Sequence, residues 1–308
     1  MMGPTLPAGV QPDYPLARLT TVRTGGTAEF FARPATTEQL VELLAWAQAG
    51  GHEVGVVGSG SNLLVADEGV RGLVMKLDKD LAQIDRDGTR LVCGGGARLP
   101  SVSARAANAG LTGIEFGVNI PGTVGGAVRM NANAYGGELA RVLEHVEVAT
   151  ADGAERRTPD QLGFAYRRSN LQSGEVVARA SFQLAPAPVE QVKATLAAMR
   201  AKRKAAQPSG IKTFGSTFRN PDDPRAEGRT AGQLLDAAGC RGLRVGDAGF
   251  SGKHANFVEN HGSATTADVL ALMAEGRRRV HERFGVVLEP EVQTLGNVRW
   301  PETWELAA

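Results

Sequence analysis

Apolar residues recur along this chain at two spacings, and the changes between them mark its elements. Leu40, Leu43, Leu44 and Ala47 fall on one face of a helix, which Thr36 or Thr37 can cap and Gly50-Gly51 stops. Short apolar runs over 28–32, 54–57, 73–77 and 91–93 have the length of strands. Pro100 opens a second helix that ends at Gly110. Asp152-Gly153 lies between the runs 142–149 and 154–157, a hairpin signal, and Thr158-Pro-Asp-Gln161 has the form of a capping box. Alternation over 176–184 predicts another strand. Pro186 and Pro188 break it, a helix follows to about 207, and Pro208 marks the start of a last unit. That unit carries predicted helices over 231–238 and 267–284 and a strand from 286. Residues 1–20 are proline-rich and read as an extended lead-in.

Two glycine–polar stretches interrupt this pattern. The longer one, 120–137, reads Ile-Pro-Gly-Thr-Val-Gly-Gly-Ala-Val-Arg-Met-Asn-Ala-Asn-Ala-Tyr-Gly-Gly. Pro121 fixes φ ahead of a bend in which Gly122, Gly125 and Gly126 are free to take angles other residues avoid. Such a bend presents backbone N–H groups to a pyrophosphate or an electron-rich ring edge, although tight glycine turns also close ordinary hairpins. The second stretch, Val57-Gly58-Ser59-Gly60-Ser61-Asn62-Leu63-Leu64, follows the strand-like run 54–57. Two such loops in one chain imply a dinucleotide. A Rossmann unit is not indicated, because Gly58-Ser-Gly60-Ser-Asn-Leu does not open a helix.

Composition narrows the partners. The chain has 308 residues, 42% hydrophobic and 22% charged, enough for two or three packed units. A formal net charge of +1 gives no field to attract nucleic acid or an anionic membrane. The basic clusters Arg200–Lys204 and Arg277–Arg279 read as helix-end cations. No apolar run has the length of a membrane span and no signal pattern opens the chain, so a cytoplasmic protein is expected. Cys93 and Cys240 read as buried thiols in a reducing compartment, and the histidines, including His145, His254 and His261, show no paired spacing for a metal.

Three places carry possible chemistry. Ser216, in Phe214-Gly-Ser-Thr-Phe-Arg-Asn-Pro221, lacks a Gly-x-Ser-x-Gly elbow. It reads as a turn hydroxyl or as a proton donor to a strong base. Arg167, after Tyr166, is either a rim ion-pair partner or a bidentate clamp on a carboxylate or phosphate. Glu289 and Glu291, two apart on the predicted strand, share a face opposite Leu288 and Val292. That face is solvated, or it lines a cleft where one carboxyl donates a hydrogen bond to a developing enolate.

These pieces together resemble the UDP-N-acetylmuramate dehydrogenase family, also called the UDP-N-acetylenolpyruvoylglucosamine reductases. The resemblance rests on Thr21-Val-Arg-Thr-Gly-Gly, Gly58-Ser-Gly-Ser-Asn-Leu-Leu, Ile120-Pro-Gly-Thr-Val-Gly-Gly-Ala-Val, Met130-Asn-Ala-Asn-Ala-Tyr-Gly, Tyr166-Arg-Arg-Ser, Gln207-Pro, Gly215-Ser-Thr-Phe-Arg-Asn-Pro, Lys253-His-Ala-Asn-Phe and Leu288-Glu-Pro-Glu-Val. It implies an α+β chain with a vanillyl-alcohol-oxidase-type FAD-binding fold, in which two FAD units (1–78 and 79–207) precede a substrate domain (208–308). It further implies FAD as cofactor, NADPH as reductant, a nucleotide-sugar substrate and a monomer. In such enzymes a hydride passes from the flavin to the methylene carbon of an enolpyruvyl ether. The resemblance puts the proton donor at Ser216 and the enolate-stabilising groups at Arg167 and Glu291. It puts flavin contacts at Gly58, Ser59, Gly60, Ser61, Asn62, Leu63, Pro121, Gly122, Thr123, Gly125, Gly126 and Asn131, and substrate contacts at Tyr166, Lys204, Asn220 and His254. Three departures stand out: Asn133 replaces a usual glycine, Ser59 stands where glycine is common, and the interval between Arg167 and Ser216 is short for family members with a tyrosine-bearing lid, so this chain resembles the short form. An FAD-dependent oxidase of the same fold and a non-catalytic nucleotide-sugar binder are the competing readings.

Overall fold

In the computed structural model, which describes residues 6–206 and 212–305, Thr36 rather than Thr37 begins the first helix. Its backbone is extended and its side chain accepts a hydrogen bond from Gln39 N, so helix α1 spans Thr37–Ala49. Contacts divide the chain into two compact units. One comprises Met1–Tyr14, Glu29–Ser59 and Arg71–Arg203, and the other Pro15–Ala28, Gly60–Val70 and Lys204–Ala308. The Gln207-Pro pair and the expected boundary at 207/208 lie outside the described residues.

The first unit holds two sheets. One is ordered Gln11–Pro15, Thr27–Ala32, Val70–Met75, Val54–Val56, its last two strands parallel. The other is antiparallel, ordered Gly153–Arg157, Leu143–Thr150, Val176–Gln183, Arg90–Gly94, Ile84–Asp87. Leu40, Leu43, Leu44 and Ala47 of α1 fill one core with Leu73 and Met75 from the first sheet and Ala149, Val176 and Ala178 from the second. The predicted helical stripe thus supplies the apolar layer between the sheets. The Asp152-Gly153 hairpin and the Thr158/Gln161 capping box form as the sequence predicts, although the box caps only a short 3₁₀ segment, Pro159–Leu162.

Helix α2 spans Leu99–Asn108, with its proline in the first turn. The glycine bend contains an element the pattern did not predict, the short helix α3, Val124–Arg129, whose Val124, Ala127 and Val128 are buried. Helix α4, Val189–Ala206, turns Val192 and Leu196 onto Ala107 and Val118.

The second unit is built on α5, Ala231–Ala237, and α6, Thr266–Phe284, each opened by a capping box, Thr230/Gln233 and Thr265/Asp268. Asp67 reinforces the start of α6, accepting from Thr266 N at 2.8 Å and Ala267 N at 2.9 Å. Leu63–Val65 pairs in parallel with Gln293–Leu295 beside a three-stranded sheet ordered Arg244–Val245, Ala248–Phe250, Val258–Asn260.

Two sequence expectations change here. The strand expected from 286 begins only at Gln293, because the preceding residues are joined to 217–219 by scattered bonds rather than a continuous ladder. Arg277 is not a helix-end cation. It is buried within α6, donates from Nε to Leu288 O at 3.0 Å and lies 4.7 Å from the Trp304 ring centroid. Arg278 and Arg279 pair instead with Glu275 one turn back.

Candidate active site

In the first unit, the start of the early polar loop meets the glycine bend. Ser59 Oγ donates to Pro121 O, and a Cβ on Gly58 would strike the Thr123 hydroxyl, so glycine at 58 permits this approach. Lys76 Nζ donates to Gly58 O at 2.5 Å, and burial, with Arg33 and Arg98 nearby, pulls its ammonium below the usual lysine range. The bend is held from beneath: Gly125 N donates to Gly95 O at 2.7 Å, Val124 N to Ala97 O at 2.8 Å and Leu99 N to Gly122 O at 3.0 Å.

Those bonds leave other amides unused. Among the described residues the N–H groups of Gly58, Gly122 and Thr123 make no hydrogen bond. A Cβ at Gly122 would find only Ile120 Cγ2, at 3.7 Å, and one at Gly126 only the Thr123 hydroxyl, at 3.6 Å. The fully buried Asn131 Oδ1 also lacks a partner. Open space above unpaired amides, with an orphaned acceptor close in sequence, fits a large ligand carrying both phosphate acceptors and ring donors. FAD is such a group.

Tyr166 and Arg167 occupy a two-residue turn closed by Ala165 and Arg168, with Tyr166 half exposed and the Arg167 guanidinium 5.2 Å from its ring centroid. Arg167 Nη1 donates to Asn133 Oδ1 at 2.9 Å and Asn133 O at 3.2 Å.

The second unit brings Ser216 and Glu291 together. Glu291 N donates to Thr217 O at 2.8 Å, Arg219 N to Glu289 O at 2.9 Å, and Phe218 bridges Pro290. The rest of the early polar loop joins them. Gly215 N donates to Ser61 O at 3.0 Å, and Asn62 Nδ2 to Glu291 O at 3.2 Å. Gly60 O accepts from both Thr21 N and Thr21 Oγ1, and Asn260 Nδ2 holds Val22 O at 2.9 Å, which ties down the Thr21-Val-Arg-Thr turn. Leu288 and Val292 are buried while Glu289 is exposed, the two-faced arrangement the spacing predicts.

Sequence reasoning missed Asn256 as an organiser. Its side chain accepts from Phe218 N at 2.9 Å and donates to Phe218 O at 2.8 Å, while its carbonyl accepts from Thr217 N. Asn256 therefore holds the segment bearing Ser216 at the two residues that follow the serine. The only signal was membership of the Lys253-His-Ala-Asn-Phe run, read there for its histidine. Thr217 Oγ1 and Arg219 Nε are buried and unpaired next to Ser216. Asn220 Oδ1 accepts from Ala231 N at the start of α5, and His254 packs beside Gly232 there. Burial lowers the His254 pKa from its ordinary value. Lys204 is exposed near the end of α4, its carbonyl accepting from Lys253 Nζ at 2.8 Å. Cys93 and Cys240 are buried thiols, as predicted, and burial pushes that of Cys93 up to about 12. No group of three or more metal-binding side chains occurs among the described residues.

Residues 207–295 match the family described as UDP-N-acetylenolpyruvoylglucosamine reductase, C-terminal domain, and residues 28–158 match an FAD binding domain. The chain is 47% identical over 284 residues to the UDP-N-acetylenolpyruvoylglucosamine reductase of Anaeromyxobacter sp. (strain Fw109-5), covering 92% of this chain and 88% of that protein. It is 43% identical over 302 residues to the reductase of that name from Agathobacter rectalis, covering 94% of each. The chain belongs to the UDP-N-acetylenolpyruvoylglucosamine reductase family.

The crystal structure of UDP-N-acetylenolpyruvylglucosamine reductase (MurB) from Thermus caldophilus superposes with a TM-score of 0.80 at 39% identity, covering 93% of this chain and 98% of that one. The fold is therefore that of the UDP-N-acetylenolpyruvoylglucosamine reductases, α+β with a vanillyl-alcohol-oxidase-type flavin domain, as the motifs implied. Membership also makes the protein an FAD-dependent oxidoreductase. No helix among the described residues is long and apolar enough to cross a membrane.

Proposed function

We propose that this protein reduces the enolpyruvyl ether of UDP-N-acetylglucosamine to UDP-N-acetylmuramate, with NADPH as electron source, in the cytoplasm and as a monomer. The observation that carries the reading is the stitching of Ser216, Glu291 and Ser61–Asn62 into one patch of the second unit, although Glu291 is more than two hundred residues from that loop. Residues 1–78 and 79–207 would form the two flavin-binding units and 208–308 the substrate-binding domain.

FAD, when bound, supplies the hydride that reaches the methylene carbon of the substrate. The chain's own residues handle the charge and the proton. Ser216 Oγ–H gives its proton to the neighbouring carbon, the one bearing the ether oxygen. A serine is a weak acid, so this transfer needs a carbon of carbanion basicity. Arg167 pairs with the substrate carboxylate, into which the negative charge of hydride addition spreads. Glu291, in its protonated form, donates a hydrogen bond to the same developing enolate. Pre-placed donors lower the barrier because they need not reorganise as charge appears. Asn256 acts one step back, by fixing the backbone on which Ser216 stands. The amides of Gly58, Gly122 and Thr123 would take flavin phosphate oxygens.

The test is an anaerobic visible spectrum of the purified protein, with NADPH and then the enolpyruvyl substrate added. A flavin band that bleaches with NADPH and returns with the substrate supports the reading. Return only with oxygen favours an oxidase, and absence of flavin after reconstitution removes the cofactor assignment. Ser216→Ala should bleach at the normal rate yet recover at least about a hundredfold more slowly with substrate. Fast recovery in that variant would sink the proton-donor role.

A further inference from the structure

The role assigned to Arg167 raises the question of what holds it in place. Its φ is +56, a left-handed angle that a non-glycine residue adopts only when its surroundings demand it. The turn that carries it is closed by reciprocal bonds, Ala165 N to Arg168 O at 3.0 Å and Arg168 N to Ala165 O at 3.1 Å. The run Asn131-Ala-Asn133 grips this turn. Asn131 Nδ2 donates to Ala165 O at 3.3 Å, and Asn133 takes Arg167 Nη1 on both its side-chain and main-chain oxygens. Ser169 Oγ adds a bond to Arg129 O at 2.9 Å.

Asn133 is itself anchored. It pairs with Glu138 in a short hairpin, Asn133–Ala134 with Gly137–Glu138, and Glu138 Oε1 accepts from Asn131 Nδ2 at 2.7 Å. The Tyr135 hydroxyl at the hairpin's tip accepts from Asn119 Nδ2 at 3.0 Å. Two oxygens of this anchored residue thus hold Arg167 Nη1, which fixes where that end of the guanidinium sits.

We propose that Asn133 is a positioning residue that aims Arg167 at the substrate carboxylate. It stands where the resembled pattern has glycine, which offers the main-chain oxygen but no side-chain acceptor. The inference rests on the reading of Arg167 as a carboxylate clamp, so the test keeps the two apart.

Binding to the oxidised, flavin-loaded enzyme is measured by calorimetry for two ligands, UDP-N-acetylmuramate, which carries the carboxylate, and UDP-N-acetylglucosamine, which does not. Asn133→Gly and Asn133→Ala should both weaken the carboxylate ligand about five- to twentyfold, the loss of one charge-assisted hydrogen bond, and leave the other unchanged. Using both variants separates the lost acceptor from glycine's added backbone freedom. In an Arg167→Ala background Asn133→Gly should add nothing. Equal weakening of both ligands, or the same loss with Arg167 absent, overturns the proposal. An Arg167→Ala protein that binds both ligands as the wild type does would instead overturn the clamp reading beneath it.

Discussion

Replacing Gly60 with alanine tests whether the early polar loop is held by direct backbone approach. Gly60 has φ +65, and a Cβ there would overlap the Leu19 carbonyl oxygen and lie 2.7 Å from Thr20 Cα. Both are main-chain atoms of a turn bonded to Gly60 O through Thr21 N at 3.0 Å and Thr21 Oγ1 at 3.2 Å, so no side chain can swing aside. The left-handed angle costs an alanine about 1 kcal/mol. Forcing the turn and loop apart adds about 1–3 kcal/mol by analogy with overpacked cores, for a total of about 2–4 kcal/mol. Gly51→Ala is the matched control, since Gly51 has φ +66 but nothing within 4 Å of its Cβ position. At about 2–4 °C per kcal/mol, the control should lower the midpoint of thermal unfolding by about 2–4 °C and Gly60→Ala by about 5–15 °C. Far-UV circular dichroism reads the unfolding, and flavin fluorescence reads cofactor release, which should come earlier in Gly60→Ala. Equal shifts for the two variants would refute the close-approach argument, leaving backbone strain alone.

Trp304 should matter more than its place near the C-terminus suggests. Its ring is tilted against that of Trp300 at 4.2 Å, stacks on that of Phe218, two residues after Ser216, at 6.4 Å, and faces the buried Arg277. Trp304→Ala should lose about 1–3 kcal/mol in a denaturant titration, and a loss under about 0.5 kcal/mol would dismiss the contact as incidental. His254 should contribute to the pH dependence of stability. Its folded pKa lies below the ordinary 6.5 through burial, so the unfolded chain takes up a proton that the folded one resists. Stability is therefore complete above that value and falls as the pH drops through it toward the lower folded pKa. His254→Gln should narrow the gap in melting temperature between about pH 7.5 and 5.5 without abolishing it, since burial also lowers the pKa of His145. An unchanged gap would remove His254 from the account.

What was legible in the sequence is what short-range chemistry decides. Thr36, Thr158 and Gly51 mark helix ends because a cap needs only residues within four positions of it. Asp152-Gly153 sets its hairpin for the same reason. The α1 stripe and the alternation of Leu288, Glu289 and Val292 announce which face is buried, although not against what. The motifs carrying Ser216, Arg167 and the two glycine loops are weak signals singly and point to the family only together, in their order along the chain.

Tertiary structure decided the pairings. Leu63–Val65 lies beside Gln293–Leu295, Asn62 bonds Glu291, and Asn256 grips Phe218, joining segments from 38 to 230 residues apart. Nothing in a local pattern names a partner at that distance. The match depends on which unpaired backbone edges and buried amides remain once each core has closed. Arg277 shows the same limit from the other side. Its sequence position suits a solvated cation, and only the packing of Trp304 and the Leu288 carbonyl over α6 makes it a buried brace.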